Sequence, residues 1–119
     1  MKQVKNVLNS NMRKLVTAHI PFINGNKTVF AHLKDNGIYV VYSYGYHYPM
    51  LIWEPVSGMW FANEDKSTRT TSMHKSKTRP YNITSYNLRT DAMIELSYNG
   101  YASLANKRMN GGFILVEAA

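Results

Sequence analysis

Tyr42, Tyr44, Tyr46 and Tyr48 alternate with Ser43, Gly45 and His47. In an extended strand, residues two apart share a face. Four phenol rings on one face would make a stacking platform for unpaired bases, each stack worth about 1–3 kcal/mol. The same spacing also fits the core-facing side of a central strand, and Gly45 is a place where a strand can break. A second segment, 66–80, interleaves Lys66, Arg69, Lys75, Lys77 and Arg79 with Ser67, Thr68, Thr70, Thr71, Ser72, Ser76 and Thr78. Hydroxyls donate to phosphate oxygens, lysine supplies a point charge, and arginine binds in a bidentate way. That mixture suits a phosphate backbone. It equally suits a solvated loop held by side-chain-to-backbone hydrogen bonds. It lacks the glycine pattern of a P-loop, and no ribonucleoprotein-type RNA motif occurs in the chain.

The four histidines are His19, His32, His47 and His74, and no two of them are three or four residues apart. A local metal site is therefore not expected. Ser72 and Ser76 lie close to His74, but there is no nucleophile-elbow pattern and no adjacent orienting group. No catalytic residue and no cofactor is assigned. His47 and His74 are expected to join strand and loop by hydrogen bonds. Glu64 and Asp65 are adjacent, so in a strand they would point to opposite faces; they read as the solvated start of the loop. Trp53 and Trp60 flank the turn at Pro55. They read as core packing across a hairpin, with a partner anchor as the alternative.

The charge distribution narrows the partners. The chain has 119 residues and a formal charge of +7. Residues 1–34 carry Lys2, Lys5, Arg13, Lys14, Lys27 and Lys34 and no acid, and residues 66–79 carry five more cations and again no acid. Such clusters attract polyanions. There is no cysteine, which excludes disulfides, thiolate zinc sites and a cysteine nucleophile. No apolar run approaches the roughly 20 residues that span a bilayer, and no signal peptide is read at the start of the chain. The Asn82-Ile83-Thr84 sequon reads as a chance match.

These residues need elements to hold them. Residues 2–16 place Val4, Val7, Leu8, Met12, Leu15 and Val16 at helical spacing, although Asn6, Asn9, Ser10 and Asn11 are poor helix formers. A basic N-terminal helix or arm is predicted within 1–20. Asn24-Gly25-Asn26 reads as a turn. Strands are predicted at 28–34 and 38–44, joined by Asp35-Asn36-Gly37 as a type I′ hairpin. Further strands are predicted at 50–54 and 59–63. Residues 64–80 read as a long loop with at most one helical turn. Thr90 or Asp91 is placed to cap a helix over 91–98 that ends at Gly100. Gly111-Gly112 precede a last strand at 113–117. The expectation is one α+β domain over 1–119: an antiparallel β-meander sheet with one or two helices packed on it.

Two motifs, Val41-Tyr42-Ser43-Tyr44-Gly45-Tyr46-His47-Tyr48-Pro49 and Thr70-Thr71-Ser72-Met73-His74-Lys75-Ser76, occur with Trp60 and Asn63 between them. This paired pattern, covering about residues 38–80, resembles a group of small, functionally uncharacterised bacteriophage-encoded proteins. The resemblance implies a phage accessory protein acting in the host cytoplasm, with the two motifs forming one structural unit and His47 and His74 in contact. Together with the charge, it leads to a non-enzymatic protein that binds DNA or RNA and does not bind membrane. The expected contacts are Arg13, Lys14, Tyr44, Tyr46, Lys66, Arg69, His74, Lys75, Lys77 and Arg79. The alternative is an inhibitor of a host or anti-phage defence protein, acting by protein–protein contact. A structural virion component is a third reading.

Overall fold

The Asp35-Asn36-Gly37 hairpin is present, between β3 (Val29–Leu33) and β4 (Tyr39–Ser43). The two strands pair antiparallel from Val29↔Ser43 to Leu33↔Tyr39. The turn is not type I′. Gly37 has φ +86° while Asn36 stays out of the left-handed region, and the Gly37 amide donates to the Lys34 carbonyl at 2.9 Å. That geometry is a turn followed by a left-handed glycine, the other common short hairpin.

The structure, a computed structural model, describes residues 2–102 and 116–118. Among the described residues, eight strands form one sheet in chain order. The others are β1 (Val4–Val7), β2 (Phe22–Asn24), β5 (Pro49–Glu54), β6 (Met59–Asn63), β7 (Ser85–Leu88) and β8 (Val116–Ala118); the helices are α1 (Asn9–Thr17), α2 (Arg69–Thr78) and α3 (Thr90–Asn99). The α+β expectation therefore stands, but the sheet is mixed and the described helices number three. Pairing is antiparallel from β2 through β6. It is parallel for β1/β2 and β6/β7, because a helix rather than a hairpin joins each of those pairs.

Two sequence expectations fail locally. The apolar spacing over 2–16 does not make one helix: the first part is β1, and α1 starts only after Leu8. Asn6, within β1 where its register with β2 shifts, sits at φ +55°, a conformation asparagine tolerates and a helix does not. The expected loop over 64–80 contains the ten-residue helix α2. Of the expected last strand at 113–117, residues 113–115 and the preceding Gly111-Gly112 lie outside the described residues; the strand seen is β8, antiparallel to β7.

The sheet has a helical layer on each face. On one face Met12 and Val16 of α1 pack with Phe22, Val29, Ala31, Tyr39, Val41 and Leu51. On the other, Ala92, Met93 and Leu96 of α3 pack with Val40, Tyr42, Ile52 and Phe61. The odd and even residues of β4 thus serve opposite cores, and all five are buried. α2 joins α1 on the first face, where the two helices touch. Handedness explains the shared side. β2 and β6 are separated by four antiparallel steps and point the same way. Both parallel crossovers therefore start from strands of one direction and step the same way along the sheet. Since such connections are nearly always right-handed, both helices land on one face.

Candidate nucleic-acid interface

β4 ends at Ser43, and the chain turns at Tyr44, whose φ is +64°. A bulky residue rarely adopts that conformation. It is held by the Tyr44 amide, which donates to the Thr28 carbonyl at 2.7 Å. The turn scatters the tyrosines and removes the single-faced platform. Tyr42 is buried under α3, where burial above all pushes its hydroxyl up to about 12. Tyr46 folds back on the same side, 5.0 Å from both Phe30 and Tyr42 between ring centroids, and is 59 % exposed. Tyr48 lies on the α1 side and donates its hydroxyl to the Asp65 carbonyl at 2.9 Å. Tyr44 stands over α2, 5.5 Å from His74, and is 54 % exposed.

The two motifs do meet, but not through paired histidines. Ser43 Oγ is 2.9 Å from His74 Nδ1 and 3.0 Å from Thr71 Oγ1. His47 packs instead over Gly45, where an added Cβ would come within 2.9 Å of its Nδ1. His74 is 2 % exposed, so its place among the contact residues is corrected: it pins α2 to β4. Burial lowers its pKa, as expected for an imidazole taken out of water.

Several predicted contact cations are also structural. Lys75 Nζ donates to the carbonyls of Asn63 and Asp65 at 3.2 and 3.4 Å and lies over the Tyr48 ring. Arg79 donates to Ser85 Oγ at 2.7 Å and to the Ile83 carbonyl at 3.3 Å. Arg13 reaches from α1 to the carbonyls of Ser76 and Arg79 and to the Tyr81 hydroxyl, and its guanidinium lies 4.1 Å from the centre of the Tyr81 ring. An arginine on the last carbonyls of α2 also complements the helix dipole. The side chains of Lys14, Lys66, Arg69 and Lys77 are exposed and make no hydrogen bond or ion pair among the described residues.

Ser43, Tyr44, His47 and Tyr48, with Lys66, Ser67 and Thr68 from the approach to α2 and Thr71 from its first turn, line an open cleft of about 450 Å³. No acidic side chain lines it. Thr68 caps α2 by accepting the Thr71 amide at 3.1 Å. Of the two acids that precede this segment, Asp65 turns toward α3. Asp65 is not simply solvated: its Oδ2 accepts the Thr90 amide at 2.7 Å, and its Oδ1 lies 3.3 Å from Arg89 Nε. It thus caps α3 from a distant loop. The Thr90 hydrogen bonds, helped by Arg89 and Lys75, lower its pKa. Trp53 and Trp60 are cross-strand partners, as expected of hairpin packing, and His19 stacks on Trp53 at 4.2 Å.

Among the described residues no cluster of His, Asp or Glu is arranged to hold a metal ion, and no helix is long and apolar enough to cross a membrane. No protein-family model, curated protein or solved structure matches the chain.

Proposed function

We propose that the protein binds nucleic acid without enzymatic activity, as a bacteriophage accessory protein in the host cytoplasm, through the face formed by α1, α2 and residues 66–68. The observation that carries this reading is the juxtaposition of the two basic segments. α1 and α2 pack side by side on one face of the sheet, tied by Arg13, and neither helix contains an acidic residue. Lys14, Lys66, Arg69 and Lys77 are the exposed cations of this face. Cations so placed neutralise phosphates and release counterions, which makes affinity fall steeply with salt.

Fluorescence anisotropy with labelled DNA and RNA, single- and double-stranded, tests the reading across a salt series. Four phosphate contacts give a slope of log K against log salt of about −3 for a single strand and about −4 for a duplex. Absence of binding at low salt, or a slope near zero, overturns it and leaves contact with a host or defence protein as the surviving alternative.

A further inference from the structure

We propose that the cleft between the 44–48 turn and residues 66–71 is a single-nucleotide subsite, in which an unpaired base stacks on Tyr44 and the neighbouring phosphate meets Lys66 and the Ser67 hydroxyl. The proposal rests on the nucleic-acid reading and sharpens it: the ligand is single-stranded.

Three independent features converge here. The cleft, about 450 Å³, is within the usual range for a small-molecule-sized site. Its lining joins an exposed aromatic ring to a cation and hydroxyls, without a carboxylate. Stacking supplies affinity for any base, while the cation and hydroxyls follow the backbone. The third feature is the backbone of Tyr44. At φ +64° a glycine or asparagine would be relaxed and a tyrosine is strained. The ring gains little from burial, because more than half of the residue is exposed. Strain held at an exposed aromatic is the kind of outlier that points to a function for the ring. Thr68 already occupies the Thr71 amide, so attraction for phosphate rests on Lys66 rather than on that backbone group. A base stacked within a duplex presents no free face to a ring inside a cleft, whereas an unpaired base does.

The test compares a labelled oligothymidine of about 12 nucleotides with a duplex of equal length, using wild-type protein and the Tyr44→Gly and Tyr44→Phe variants. The wild type is expected to prefer the single strand. Tyr44→Gly should weaken that binding by about ten- to a hundredfold, with an unfolding midpoint equal to or above that of the wild type because the strained φ is relieved. Tyr44→Phe should retain the affinity. If Tyr44→Gly does not fold, Tyr44→Asn tolerates the same φ and takes its place. A folded Tyr44→Gly or Tyr44→Asn protein that binds the single strand as tightly as the wild type overturns the subsite, and so does a duplex bound as tightly as the single strand; both leave the basic-face reading intact. Failure of the wild type to bind either probe overturns both.

Discussion

Ser43 sits between two partners on α2, Thr71 and His74, and is 1 % exposed. Its hydroxyl pairs with two buried side chains, so the Ser43→Ala variant should lose about 1–3 kcal/mol, read as a lower urea midpoint with an unchanged m-value. A loss within error would show that the network is not a restraint on α2. The histidines add a pH dependence. Burial holds His74, His19 and His32 below their ordinary 6.5, with Lys34 adding to the effect at His32. The unfolded chain then takes up protons first as pH falls. Stability contributed by the neutral rings is complete above about 6.5 and declines as pH drops through that value toward the lowered folded ones. Urea midpoints between pH 7.5 and 5 should fall on acidification, and a flat profile would contradict the assignment. At this scale the sequence was half readable. His74 could be foreseen as a tether, but its partner was assigned to His47, because a histidine does not announce which distant hydroxyl it will meet.

At the scale of elements, α2 is instructive. Its one large apolar residue, Met73, is exposed, while Thr71, His74 and Thr78 are buried. A helical period was present in the sequence at Thr71, His74, Lys75 and Thr78, but written in polar residues, where hydrophobic patterning does not look. The helix forms because Thr68 caps its start, Arg13 meets its last carbonyls, and its polar stripe finds partners on β4 and β6. The N-terminal stripe failed in the opposite sense: apolar residues at helical spacing ran across a strand, with Asn6 left-handed within it, and a helix. α3 was placed correctly, yet its cap was not. Arg89 at the cap position provides no side-chain hydrogen bond, and Asp65 supplies one from the loop after β6. Asp65→Asn should therefore cost about 0.5–2 kcal/mol at pH 7. Because the carboxyl is held below 3.8 in the folded state, its contribution is present at neutral pH and disappears as pH falls through that region. The variant and the wild type should converge in thermal stability toward pH 2 to 3, about the lower end of the titration. A gap that stays constant from pH 7 downward would show that the ionised form is not the cap.

For the whole molecule, the two parallel crossovers decide which charges act together. Lys14 and Lys77 come from helices on the same face. Lys34 continues the β3 alternation that places Phe30 against the α3 core, and its ammonium lies 4.2 Å from the centre of the Tyr98 ring of α3. Replacing Lys14 or Lys77 by Gln should each reduce the salt slope of nucleic-acid binding by about 1, whereas Lys34→Gln should leave it unchanged. Equal effects at all three positions would mean that net charge, not a face, drives binding. The antiparallel centre of the sheet, the hairpin at Gly37, α3 and the absence of acids from both basic segments were determined by the sequence itself. They follow from turn chemistry, alternating or periodic burial and composition, all of which are local. Only the tertiary structure decided that α1 and α2 share a face, that His74, Lys75, Arg13 and Arg79 spend their donors inside the protein, and that Tyr44 and Tyr48, but neither Tyr42 nor Tyr46, line the cleft. Those outcomes depend on crossover handedness and on hydrogen-bond partners dozens of residues away, and neither is encoded in the spacing of neighbours along the chain.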